Sequence, residues 1–90
     1  MVLAAAYQND FGNMIELDHG DGLTTRYAHL ARMNAKPGSL VKRGEVIGAV
    51  GSTGRTTGPH LHFEVRMLGV AQNPAHFLKQ GEEYAMLRRR

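Results

Sequence analysis

No part of this chain runs far without meeting a turn. Eleven glycines in 90 residues, together with dipeptides such as Pro37-Gly38 and Asn73-Pro74, cut it into short segments. Segments of that length suit strands better than helices of several turns, so the pattern predicts a β-rich fold. Val2–Tyr7 reads as a first strand and Asn13–Asp18 as a second, with Met14, Ile15 and Leu17 as its apolar residues. Gly20-Asp21-Gly22 then reverses the chain, because glycine tolerates the positive φ that tight hairpins need. Leu23–Leu30 follows as a third strand, paired with the second in a hairpin.

Beyond it, Lys36-Pro37-Gly38 and Lys42-Arg43-Gly44-Glu45 are turns on either side of Leu40 and Val41, and Val46–Val50 is an apolar strand. Gly51–Pro59 is too polar for the core and too rich in glycine for a helix, so it is a loop. The segment His60–Met67 alternates. Leu61, Phe63, Val65 and Met67 fall on one face, and His60, His62, Glu64 and Arg66 on the other. Leu68-Gly69 closes a hairpin into Val70-Ala71. Asn73 and Pro74 suit an N-cap and first helical position, which predicts a short C-terminal helix over Pro74–Leu78. A polar, basic tail over 79–90 completes the chain.

This length allows one domain, and a chain of this size buries only about 60–65% of its unfolded surface. Cysteine is absent, which excludes disulfides, thiol nucleophiles and cysteine-held zinc. The formal charge of +3 is carried by Arg88, Arg89 and Arg90. Without aromatic residues interleaved on a basic stripe, that cluster reads as a solubilising tail and not as a nucleic-acid interface. No apolar run approaches the roughly 20 residues that span a membrane as a helix. Met1–Ala6 is apolar but has no basic residues before it, so it does not read as a signal peptide.

The candidate chemistry lies in the histidines. Period two puts the imidazoles of His60 and His62 on one strand face, where they can serve one site. A catalytic zinc takes three protein ligands and a water, so this pair alone points to metal only weakly, and a solvated strand face is the plain alternative. His29 ends the third strand, and a hydrogen-bonded surface role would explain it as well. His19 is accounted for by its hairpin and His76 by the predicted helix. Glu64 shares the face of the two histidines. The hydroxyl-rich loop from Ser52 to Gly58 leads into His60 and is the natural place for substrate contacts by Thr53, Arg55, Thr56 and Thr57. It lacks the Gly-Lys-Ser/Thr end of a phosphate-binding loop.

Several blocks occur in a defined order. They are Gly12-Asn13, Asp18-His19-Gly20-Asp21-Gly22, Tyr27-Ala28-His29-Leu30, Val41–Gly48, the run from Gly51-Ser52-Thr53-Gly54 to Pro59-His60-Leu61-His62-Phe63-Glu64-Val65, and Asn73-Pro74. Together they closely resemble the M23 peptidases, the lysostaphin/LytM-like family, over about Val2 to Leu78. The resemblance implies a mainly antiparallel β-sheet domain of the duplicated hybrid motif type, with a groove over one sheet. It also implies a zinc metalloendopeptidase of the cell envelope that cuts peptide bonds in peptidoglycan. By that resemblance His62 matches a zinc ligand, while His29 and His60 match two histidines that assist catalysis. Zinc in such a site polarises the scissile carbonyl and lowers the pKa of its water to about 7.

The family's other two ligands come from an upstream His-x-x-x-Asp, and no such motif precedes the match. His19 does not replace it, since Leu23 stands four residues on. The expectation is therefore a partial domain over 1–78 with an incomplete zinc site, inactive alone. Its uncovered sheet edge is expected to pair with a second copy. Two other readings remain. One is a non-catalytic relative that binds cell wall or a cell-wall hydrolase. The other is a carrier-domain half-motif over Val41–Val50, which lacks the modified lysine in its turn.

Overall fold

The computed structural model describes residues 1–73. The helix expected over Pro74–Leu78 and the tail over 79–90 lie outside them. Among the described residues, six strands form one antiparallel sheet: β1 (Val2–Gln8), β2 (Gly12–Gly20), β3 (Leu23–Met33), β4 (Gly48–Val50), β5 (His62–Met67) and β6 (Val70–Gln72). Their order is β1-β2-β3-β5-β6, with β4 pairing the far end of β3. The fold is mainly antiparallel β, as the turn pattern predicts.

β1, β2, β3 and β6 run one to three residues beyond the bounds read from sequence, and two strands begin later than that reading, each for a reason in the register. The strand expected over Val46–Val50 is paired only from Gly48, because its partner β3 ends at Met33, opposite Gly48. The strand expected from His60 begins at His62. The β3–β5 ladder stops at Ala28↔His62, and His60 makes only an isolated bridge with Gly51.

One face of the sheet holds the core. Ile15 and Leu17 of β2 and Tyr27 and Leu30 of β3 are buried with Val2 and Ile47. Tyr27 and Phe63 are cross-strand partners with ring centroids 5.2 Å apart. The connection between β3 and β4 folds over this face, laying Ala35, Val41 and Ile47 on it, while its Leu40 stays exposed. Removing such apolar surface from water is the main stabilising term, at roughly 25 cal/mol per Å².

The opposite face is polar. Glu16, Arg26 and Glu64 stand side by side across β2, β3 and β5, with Arg26 Nε 3.4 Å from Glu16. His62 and Ala28 continue this face one cross-strand pair further along. The sheet therefore separates an apolar side that stabilises it from a polar side that carries the histidines. At the β1 edge, Leu3 and Tyr7 are exposed, and the turn at Gly38 and Ser39 pairs with Val2. No helix among the described residues is long and apolar enough to cross a membrane.

His19, which the sequence assigns to the hairpin, lies near the end of β2. Its Nε2 is 2.8 Å from Thr25 Oγ1, and the Thr25 hydroxyl donates to the Tyr27 hydroxyl at 3.2 Å. Thr25 spends its proton on Tyr27, so His19 Nε2–H is the donor to Thr25. Burial, then the charge of the N-terminal amine, pushes His19 below the ordinary histidine value, against an opposing pull from Asp18. A histidine whose folded pKa is depressed contributes stability above its unfolded pKa, about 6.5, and loses it as pH falls through the folded value. The melting temperature is thus expected to fall between pH 7.5 and 5, and His19→Gln is expected to flatten part of that slope. Thermal melts by circular dichroism across this range check it; an unchanged slope rules the contribution out.

Candidate active site

The site is built around a break in β3. From Tyr27 to Leu30 the strand takes three steps while β2 takes two, from Ile15 to Asn13. His29 sits within this bulge with φ of 61°, the left-handed region that a non-glycine residue enters only at a cost of about 1–3 kcal/mol. Bulges re-aim side chains next to functional sites. Here the backbone is held by His29 N–H donating to Phe11 O at 2.7 Å. The imidazole is 6% exposed as a residue, and its Nδ1 lies 2.8 Å from Thr53 O.

The bulge brings three imidazoles together. The His29 ring centroid is 5.1 Å from that of His60 and 5.7 Å from that of His62. His62 opens β5 opposite Ala28, and His60 lies two residues before it on the Gly51 bridge. Leu61, between them, packs on the apolar core. The two histidines therefore share a side, as period two predicts, although only His62 lies in the strand. Phe11 closes another flank, its ring 5.6 Å from His62 and 5.8 Å from the Arg26 guanidinium.

The hydrogen bonds fix which nitrogen each neutral ring offers. A backbone carbonyl only accepts, so His29 Nδ1 carries the proton that goes to Thr53 O, leaving Nε2 with a lone pair. The same reasoning holds for His60, whose Nδ1 is 2.9 Å from Gly58 O and 3.0 Å from Thr56 Oγ1. His62 is set the opposite way, with Nε2 2.7 Å from Glu64 Oε2. Its Nδ1 is therefore the unprotonated nitrogen. Burial pushes the Glu64 carboxyl up, but hydrogen bonds from His62 and Arg66 and the charge of Arg66 outweigh it, so the group is held below the usual carboxylate range. Arg66 grips Oε1 of Glu64 through Nε and Nη2, each at 2.9 Å. A carboxylate on the far nitrogen of an imidazole fixes the orientation and tautomer of the ring.

The four loop residues expected to meet substrate are placed differently from one another. Thr53 turns inward: its hydroxyl donates to Leu30 O at 2.6 Å and accepts from Asn13 N–H at 3.1 Å. Thr56 Oγ1 bonds Gly58 O and lies beside His60. Arg55 is exposed near Asp10, 3.5 Å away, and Thr57 is exposed. Sequence reasoning missed Phe11 and Asn13 as parts of the site. Gly12-Asn13 was a motif fragment without a role, and nothing local marks Phe11. Among the described residues no group of three His, Cys, Asp or Glu side chains is placed to hold a metal ion.

Residues 1–74 match the model of peptidase family M23. The chain belongs to that family. Among curated relatives, the DD-carboxypeptidase/endopeptidase Mpg of Neisseria meningitidis is 52% identical over 64 residues, which are 71% of this chain and 15% of that protein. The peptidoglycan DD-endopeptidase ShyC of Vibrio cholerae is 42% identical over 74 residues, which are 82% of this chain and 17% of that protein. The chain thus spans under a fifth of the length of these relatives. Among solved structures, the antimicrobial peptidase lysostaphin from Staphylococcus simulans superposes with a TM-score of 0.82 at 41% identity. That match covers 88% of this chain and 35% of lysostaphin. The antiparallel sheet is the lysostaphin/LytM-like one.

Proposed function

We propose that this chain is the histidine-bearing part of a cell-envelope peptidase that hydrolyses peptide bonds in peptidoglycan. The observation that carries the proposal is the meeting of His29, His60 and His62 at one bulge of an M23 sheet, each with one nitrogen tied and the other left free. Peptidoglycan as substrate is supported by the activity named for the Vibrio relative.

Hydrolysis needs a proton taken from the attacking water and a charge stabilised on the carbonyl oxygen. His29 and His60 are paired for this work. Their rings are neighbours, and each offers Nε2 because its Nδ1–H is committed to a carbonyl. One takes the water's proton at Nε2; the other, as imidazolium, faces the oxyanion. The proton then passes to the departing amine as the C–N bond breaks. His62 is turned to a different task. With Nε2–H on Glu64, it presents Nδ1 as a ligand nitrogen backed by a carboxylate.

Zinc is the metal that the family resemblance implies. His62 is a fitting donor, but a catalytic zinc takes three protein ligands, and the described residues hold no such set. The donor set here does not fit zinc by itself. A His and an Asp in a His-x-x-x-Asp segment are the missing partners in this reading.

Two measurements test it. Calorimetric titration of the chain with zinc, run beside sedimentation velocity, is expected to show no tight one-to-one binding by the monomer. The gene product that carries both this chain and His-x-x-x-Asp is expected to release peptide fragments from purified peptidoglycan. Tight binding by the chain alone, or no hydrolysis by that longer product, overturns the reading. A non-catalytic wall-binding module would leave the peptidoglycan uncut.

A further inference from the structure

We propose that Thr53 is a positioning residue, which sets the tautomer and aim of His29 by gripping both sides of the β3 bulge. The inference rests on the hydrolytic reading above and gives Thr53 a part other than direct contact with substrate.

Thr53 reaches the bulge with two different atoms. Its carbonyl accepts from His29 Nδ1 at 2.8 Å. Its hydroxyl donates to the carbonyl of the next residue, Leu30, at 2.6 Å. The hydroxyl also accepts from Asn13 N–H at 3.1 Å, and Asn13 Nδ2 donates to the same Leu30 carbonyl at 3.0 Å. Thr53, Leu30 and Asn13 thereby form a closed triangle of hydrogen bonds drawn from three separate elements. The triangle sits at the place where the regular ladder fails. Leu30 is paired with Asn13 and Val50, and Ala28 with His62, but His29 between them has no register partner on β2, β4 or β5.

The space around Thr53 has no slack. A Cβ at Gly12 would lie 2.4 Å from Thr53 C and 2.5 Å from both Thr53 oxygens. A Cβ at Gly54 would lie 2.2 Å from Gly12 N. The two glycines let the loop press its backbone directly onto the start of β2, and this contact brings the Thr53 carbonyl to the His29 ring. His29 occupies a strained φ of 61°, and such a conformation persists only where its surroundings over-determine it. The Thr53 bonds are part of those surroundings, beside the His29 N–H bond to Phe11 O. Without the hydroxyl, the loop loses its tie to Leu30 and Asn13, and the carbonyl is no longer held at Nδ1. The ring is then free to exchange between its two neutral tautomers, only one of which offers Nε2 as a base.

The test reads the ring and not the reaction. Nitrogen-15 correlation spectra of the chain at a pH where His29 is neutral distinguish Nδ1–H from Nε2–H. The wild type is expected to show one tautomer, with Nδ1 protonated. Thr53→Val keeps the shape without the hydroxyl and is expected to give averaged His29 shifts and faster exchange of the Asn13 amide. Thr53→Ser is expected to restore both. A folded Thr53→Val whose His29 stays in the Nδ1–H form overturns the proposal. If the Val variant does not fold, Thr53→Ala is read in the same way. If neither folds while Thr53→Ser does, the hydroxyl serves folding and not positioning, and the proposal also fails. None of these spectra depends on hydrolysis, so this inference and the proposed function fall separately.

Discussion

Gly54→Ala is expected to lower the melting temperature by roughly 15 °C, equivalent to about 3 kcal/mol in a domain of this size. Two costs combine. Gly54 has φ of 77°, where an L-residue is strained by about 1–3 kcal/mol. The added Cβ also meets backbone, 2.2 Å from Gly12 N and 2.7 Å from both Gly12 Cα and Phe11 C. Backbone does not rotate away as a side-chain tip does, so the loop and the start of β2 must separate. That parts Arg55 N–H from Asp10 O, 3.0 Å apart in the native chain, and Asn13 N–H from the Thr53 hydroxyl. Gly58→Ala is the control. Its Cβ would meet nothing within 4 Å and its φ is not in the positive region, so its effect is expected to stay within about 0.5 kcal/mol. Thermal melts of both variants check the contrast; equal shifts would show that the contact at Gly54 is not tight.

The parts of this molecule legible from sequence are those governed by local periodicity. The alternation after His60 assigns His60 and His62 to one side and Leu61, Phe63 and Val65 to the other, and Leu61, Phe63 and Val65 are indeed the residues turned to the core. Gly20-Asp21-Gly22 marks the β2–β3 hairpin, because a run of positive φ has few compatible sequences. What local pattern could not supply is the bulge. Its position depends on how many residues β2 offers opposite Ala28 and His29, a property of two strands together. The adjacency of His29 to His60 and His62 therefore came from the family resemblance and not from spacing.

The loop before His60 shows the same limit. Its hydroxyls and glycines suggest a surface that meets substrate, and the composition is the same whether a threonine faces outward or inward. Thr53 faces inward because its partners, Leu30 O and Asn13 N–H, lie 23 and 40 residues away in sequence. The glycines on either side are legible as turn residues, yet the tight approach of Gly54 to Gly12 is a tertiary fact. Glu64 is an intermediate case. The strand period puts it on the histidine face, but its tie to Nε2 of His62, which determines the nitrogen left free, depends on side-chain rotamers that the period does not fix.

On the proposed hydrolytic function, read in a product that carries this chain together with a His-x-x-x-Asp segment, His29→Ala and His60→Ala are each expected to lower kcat by about 10²–10⁴, the range for loss of one acid–base group. KM is expected to change little, since neither ring need bind the substrate's ground state. The rings are neighbours at 5.1 Å, and in the proposed mechanism the base and the oxyanion partner serve one transition state as a unit, so the double variant is expected to be little slower than the worse single one. Independent roles would instead multiply the two losses. The variants should differ in stability. His29 is buried and bonded to Phe11 O through its backbone and to Thr53 O through its ring. His60 is exposed. Removing the His29 ring leaves Thr53 O without that donor, at about 1–3 kcal/mol for a buried polar group, whereas His60→Ala should melt close to wild type. Steady-state kinetics with a soluble peptide substrate, paired with thermal melts, separate these outcomes. A His29→Ala protein that melts normally and keeps its kcat would remove His29 from both the chemistry and the fold of the site. Loss of kcat at unchanged KM in both single variants, without further loss in the double, would show that the two imidazoles act as one catalytic unit.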